Sequence, residues 1–161
     1  MYLIIPIQNF KIQHIFFTEP KQNILLDGIF TKLIYSDNKM AMNGLFLNFP
    51  IEELLFEKKT LNYSDNYSKN ILFFDIEKNI ENISTICEIE KQLLNYYLEY
   101  NFLKKTPTYS LKKQLVNGKI KYYKEHYAQH VKKHEFYIKI SGIWETNHEI
   151  GIIYKINEYT C

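Results

Sequence analysis

Short alternating or apolar runs fill the first half of the chain, a helical period follows, and alternation returns at the end. Residues 2–7 and 11–18 are apolar runs stopped by Gln8-Asn9 and Glu19-Pro20. Residues 29–35 and 45–49 flank Ser36-Asp37-Asn38-Lys39, a turn-forming stretch. Leu45, Leu47 and Phe49 alternate with Phe46 and Asn48, as a half-buried strand does. Residues 62–70 are polar and rich in Asn and Ser, which predicts a surface loop, and residues 71–76 follow as a buried strand. From residue 80 to residue 103 the period changes. Ile83, Ile86, Cys87, Ile89, Leu93, Leu94, Tyr97 and Tyr100 fall at helical spacing. Asn79 or Ser84 is the expected cap, and Pro107 lies beyond the end. Glu81, Glu88 and Glu90 stand toward the start of this helix and Lys104-Lys105 follow it, in the sense its dipole favours.

Beyond Pro107 the chain turns polar and Lys-rich. Asn117-Gly118 predicts a tight turn, with a short helix possible just before it. Residues 136–144 alternate, with Phe136, Ile138, Ile140 and Trp144 on an apolar face and Tyr137, Lys139, Ser141 and Glu145 opposite. Thr146-Asn147-His148 is the expected turn. The return strand places Ile150, Ile152, Tyr154 and Ile156 against Gly151, Ile153, Lys155 and Asn157, which makes a hairpin. The pattern predicts a mainly β fold with one long helix, of the α+β class. Its order matches an OB-fold-like small barrel, with the helix between the early strands and a C-terminal hairpin. The stretch between Leu103 and Phe136 is then an insertion or an extra strand pair. An α+β sandwich with the helix across one sheet face also fits.

Length adds that the 161 residues form a single domain, 1–161. At 46% hydrophobic the chain builds a core rather than staying disordered. No apolar run reaches the roughly 20 residues of a membrane-spanning helix, and the start lacks the basic lead of a signal peptide. Cys87 and Cys161 are the only cysteines, too few for a disulfide framework or a four-cysteine zinc site.

Charge changes the picture more. All 20 basic residues are Lys, alongside abundant Ile, Asn, Tyr and Phe, a composition typical of A/T-rich codons. Lysine attracts phosphate as a point charge but lacks the guanidinium fork used for base-specific readout. The net charge of +2 conceals an uneven distribution: residues 104–139 hold ten Lys against two acids, a net of +8, and the remainder is −6. Tyr109, Tyr122, Tyr123, Tyr127, Phe136 and Tyr137 lie within that basic segment, inserted before the hairpin. Lysine against a phosphate backbone releases counterions, and aromatic faces stack bases. The candidate phosphate contacts are Lys112, Lys113, Lys119, Lys121, Lys124, Lys132 and Lys133, with Lys139 and Lys155 on the hairpin's polar face. Tyr122, Tyr123, Tyr127 and Tyr137 are the candidate stacking rings.

Other chemistry is poorly represented. His126, His130 and His134 share a helical spacing, but the third stands too far along to bind one ion with the first, and Lys132 and Lys133 repel a cation. Their expected role is a pH-sensitive addition to the basic patch. The pairs Glu52-Glu53 and Glu88/Glu90 lack a supporting His or Asp cluster. The four Asp (Asp27, Asp37, Asp65 and Asp75) stand isolated, and no phosphate-cradling glycine motif occurs. The expectation is a non-enzymatic protein with no metal and no cofactor. Cys87 is expected as a small core residue and Trp144 as part of the core.

The hairpin residues Phe136-Tyr137-Ile138-Lys139-Ile140-Ser141-Gly142-Ile143-Trp144-Glu145, followed by Gly151 and Tyr154-Lys155-Ile156, resemble the closing strands of small DNA-binding proteins of large double-stranded DNA viruses. Gly28-Ile29-Phe30-Thr31-Lys32-Leu33-Ile34-Tyr35 and Met42-Asn43-Gly44-Leu45-Phe46-Leu47 are similar to segments of the same proteins. That group includes OB-fold single-stranded DNA-binding proteins related to those of some phages. The resemblance implies sequence-tolerant binding of single-stranded DNA, with RNA also possible, in viral DNA replication or recombination. It implies an intracellular setting: host cytoplasm, viral factory or virion. Phage members end in an acidic tail with a terminal aromatic residue, whereas this chain ends Asn157-Glu158-Tyr159-Thr160-Cys161. The alternative is a viral structural or assembly protein whose basic patch meets an acidic protein partner, or a homo-oligomer.

Overall fold

In a computed structural model, the described residues are 3–23, 27–52, 54–60, 67–125 and 135–159. Two 3-10 turns, Ile7–Asn9 and Ile12–His14, precede β1 (Ile15–Phe17), β2 (Lys21–Gln22), β3 (Ile29–Ser36), β4 (Ala41–Met42), β5 (Leu45–Phe49), β6 (Leu54–Thr60) and β7 (Tyr67–Phe74). Helix α1 (Ile80–Tyr100) follows, then β8 (Thr106–Thr108), α2 (Ser110–Leu115), β9 (Lys119–Glu125) and the hairpin β10 (Glu135–Glu145) and β11 (Glu149–Tyr159). The α+β class, mostly strands with one long helix, is as the pattern predicted.

The strands join in the order β1-β3-β10-β11-β9-β7-β6, with β2 and β4 on β3, β5 on β10 and β8 on β11. Among the described residues no ladder links β1 to β6, so the sheet is not closed into the expected small barrel. One reason is visible in β1, whose three residues pair only with β3. Both helices lie on one side of the sheet, with α1 against β11 and α2 against β9 and β11. Ile83, Ile86, Ile89, Leu93, Leu94 and Tyr97 of α1 are buried there with Ile138, Ile140, Ile150 and Ile152 of the hairpin. Among the described residues, the opposite, outer face carries no helix.

Several expected strands differ. Among the described residues of the run 2–7 only Ile5 makes a bridge, to Leu47, and residues 11–18 yield a strand only at β1. Tyr67 to Asn70, expected as loop, extend β7. Strands β2, β4 and β6 are additional, and β8 and β9 form within the stretch expected as an insertion or an extra strand pair. Asn79 does not cap α1 with its side chain. Its carboxamide is buried and instead accepts the Glu52 N–H at 2.8 Å and donates to the carbonyls of Glu52 and Asp75 at 2.8 and 2.7 Å, pinning the segment after β5 to the helix start. Cys87 is half-buried against the core; Cys161 lies outside the described residues.

The hairpin departs from strict alternation at one place. The register of β10 against β11 shifts between Ile140 and Gly142. Ser141 is the extra residue of a β-bulge, and one extra residue inverts every later position. Ile143 and Glu145 therefore turn inward and become buried. Trp144, expected on the apolar face, lies half-buried on the outer one. A Cβ at Gly151 would sit 2.4 Å from the Trp144 ring, so glycine leaves the space that the indole fills.

Glu145 is buried within a closed set of partners. It accepts the Tyr97 hydroxyl at 2.8 Å and forms an ion pair with Lys105. Thr31 and Tyr97 share a hydrogen bond of 2.9 Å, and Lys105 also donates to the Thr146 carbonyl at 2.7 Å. A buried carboxylate is tolerated when its acceptors are filled in this way. Burial, with a contribution from Glu145, pushes the Tyr97 phenol up to about 12, so it remains a donor.

The bulge gives a direct test. A Cβ at Gly142 would meet the Thr31 backbone carbonyl at 2.2 Å, and backbone cannot swing aside. Gly142→Ala is expected to lower unfolding stability by about 1–3 kcal/mol, measured by urea denaturation.

Candidate functional site

The edge of β11 facing away from β10 is shared by two short pieces of chain. Strand β8 runs parallel to Glu149–Gly151, and β9 meets β11 at Asn157, opposite Tyr123. Between these contacts α2 replaces a strand. It crosses in front of the middle of β11 and leaves a groove of about 430 Å³. Lys113, Gln114 and Asn117 line it from the α2 side, Lys119 and Lys121 from β9, and Tyr154, Lys155 and Ile156 from β11. None of the described lining residues is acidic.

Local alternation puts these lysines outside. Ile120 and Tyr122 of β9 are fully buried, so Lys119 and Lys121 between them point to solvent. On β11, Ile156 is buried and Lys155 is exposed. Lys155 stands directly opposite Lys139 of β10. Such opposed positions set side chains about 5 Å apart, so the two ammonium groups share one patch of the outer face. Lys139 also lies over the Phe46 ring, 5.5 Å from its centre, and Phe46 is 6.0 Å from Tyr137. The outer face across β5, β10, β11 and β9 thus presents Tyr137, Lys139, Lys155 and Lys121 in neighbouring positions.

One buried carboxylate sets the position of α2. Glu90 of α1 is fully buried. One of its oxygens accepts the Leu111 N–H at 3.0 Å and the other the Lys112 N–H at 2.9 Å. These are orphan donors of the first turn of α2, which has no side-chain cap of its own. At the other end of the contact, the Tyr154 hydroxyl donates to Gln114 at 2.6 Å. Burial, aided by the Glu90 charge, pushes Tyr154 up to about 12.

The predicted residues therefore divide. Lys113, Lys119, Lys121 and Lys155 converge on the groove, with Lys139 and Tyr137 beside it on the sheet face. Lys112 is exposed on α2 but outside the groove lining, and its charge acts on Glu90. Tyr122 is corrected: its ring is fully buried and packs edge-on against Phe136 at 5.0 Å, so no base reaches it. Tyr123 and Lys124 occupy β9 positions whose side chains lie outside the described residues. Tyr127, Lys132, Lys133, His126, His130 and His134 also lie outside them. Among the described residues no group of three or more His, Cys, Asp or Glu forms a metal site, and no helix is long and apolar enough to cross a membrane.

Sequence reasoning missed Gln114, Asn117 and Tyr154 as groove residues, and Glu90 as the anchor. The alternation Lys119-Ile120-Lys121-Tyr122 was the available signal for β9. A second cavity of about 400 Å³ lies at the hairpin turn. It is lined by Asp27 and Glu145 as well as Lys105 and His148, a mixed set unsuited to a polyanion. Comparison with known protein families, with curated proteins and with solved structures finds no match.

Burial raises the Glu90 carboxyl above its ordinary value, against the pull of the two N–H bonds. A carboxyl raised in the folded state contributes most to stability below its unfolded value, near about 4.3, and that contribution is lost as pH rises through the folded value. The stability of the wild type relative to Glu90→Gln is expected to fall as pH rises from about 4 toward neutrality, read from paired thermal melts across that range.

Proposed function

We propose that this protein binds single-stranded nucleic acid with little sequence preference, through the groove between α2 and the β9–β11 surface. The observation that carries this reading is the convergence of Lys113, Lys119, Lys121 and Lys155 on one groove with no carboxylate among its described lining residues. Four lysines along one groove suit a chain of phosphates, whose binding releases counterions. Lysine without arginine suits backbone contact rather than base readout. Tyr137, leaning on Phe46, is the stacking candidate on the adjoining sheet face, with Lys139 beside it. The resemblance of the hairpin to OB-fold single-stranded DNA-binding proteins of large DNA viruses points the same way, toward a role in viral DNA replication or recombination. Binding across a sheet face needs no closed barrel.

A second reading has its own support. The sheet path ends at β6, whose residue Leu55 is 65% exposed, and an open edge strand is a site for pairing with another chain. An assembly role predicts self-association that Leu55→Lys abolishes, with no response to oligonucleotide.

The polyanion reading is tested by fluorescence titration of labelled single-stranded DNA across a salt series. Log affinity is expected to fall linearly with log salt, and Lys121→Gln or Lys155→Gln each to reduce the slope by about 0.7. A flat response, or no binding at low salt, overturns it.

A further inference from the structure

Helix α1 ends in a motif usually built around glycine. Leu103 donates its N–H to the Leu98 carbonyl at 2.9 Å, and Phe102 donates to that of Glu99 at 3.3 Å, the bond pair of a Schellman closure. The residue at its left-handed position is Phe102, with φ of 55°. Any side chain with a Cβ meets a steric cost there that glycine avoids. The Phe102 side chain is 95% exposed, so packing offsets none of that cost. Tyr100, two residues earlier, is 61% exposed. Lys104, two residues later, is also exposed.

The chain that leaves this ring joins the same strand edge that carries the basic groove. Thr106 donates to the His148 carbonyl at 2.9 Å, so the 101–105 loop delivers the chain to the turn end of β11. Strand β8 then follows β11 from Glu149, and β9 reaches it at Asn157. Phe102 and Lys104 precede β8 at one end of this edge, and Lys121 and Lys155 lie toward the other. Six strand residues, about 20 Å at the usual rise, separate Glu149 from Lys155.

We infer that Phe102 is a base-stacking residue: an unpaired base stacks on its open ring while Lys104 meets the adjoining phosphate. The inference rests on the nucleic-acid reading above and extends it to a contact that a paired duplex base does not make. A ring with both faces in solvent and a lysine two residues away matches the stacking elements of sequence-tolerant single-strand binders. It also accounts for a phenylalanine where the fold itself favours glycine.

The test uses the full-length chain and a 12-nucleotide single strand carrying 2-aminopurine, whose fluorescence reports stacking. Phe102→Gly is expected to weaken binding about 5- to 150-fold and to abolish the fluorescence change. Its melting temperature is expected to hold or rise by about 2–4 °C as the left-handed strain is relieved. Phe102→Leu, apolar but without a flat ring, is expected to lose binding similarly, and Phe102→Trp to retain it. A trinucleotide, too short to span from groove to ring, is expected to bind wild type and Phe102→Gly alike. Equal affinity of wild type and Phe102→Gly for the 12-mer overturns the inference while leaving the groove intact. Self-association of the wild type that Phe102→Gly removes, with 12-mer binding unchanged, overturns it in favour of a protein contact. Failure of the wild type to bind either oligonucleotide at low salt overturns the nucleic-acid reading itself, and this inference with it.

Discussion

The carboxylate of Glu90 is the contact on which the site depends. A buried charge is costly unless its lone pairs are filled, and here the filling donors are two backbone N–H groups of α2. That makes the requirement mutual. The helix lacks a side-chain cap of its own, and among the described residues the carboxylate has no other hydrogen-bond donor. At six residues α2 is too short to be stable in isolation. Its docking on α1 and, through Gln114, on Tyr154 gives the groove its wall.

The sheet supplies the second constraint. Period-two alternation sends Ile120, Tyr122, Ile138 and Ile156 inward to the core, and the same geometry sends Lys119, Lys121, Lys139 and Lys155 outward. The concentration of charge on the outer face is therefore a by-product of building the core from every second residue. What the core does not explain is the choice of lysine at opposed positions 139 and 155.

Much of the fold was legible because its signals are local. The long helix shows in eight apolar positions at one spacing, and the hairpin shows in alternation on both sides of a polar turn. The bulge at Ser141 was not legible, since an inserted residue leaves composition and local propensity unchanged and appears only through the partner strand's register. That single residue moved Trp144 out of the core and Glu145 into it. Strand β9 was half legible: its lysines left the stretch open as an insertion or an extra strand pair, and only Ile120 and Tyr122 mark the inward set. The site was half legible: charge clustering marked the segment that carries three of the four groove lysines. Which tyrosines face solvent depended on strand phase, and Glu90 gave no sign because its partners are backbone groups 21 and 22 residues away.

The split edge of β11 has a consequence for how this surface can change. Strands β8 and β9 occupy one lane of the sheet in two instalments, each held by its own register, and α2 is a detour between them. A detour is insulated from the lane it leaves, because loop length costs little once both ends are fixed. Exchanges at its exposed positions Lys112, Lys113, Val116 and Asn117 therefore alter the charge of the groove without shifting a strand pairing. The groove can diverge at this detour while the framework beneath it stays the same.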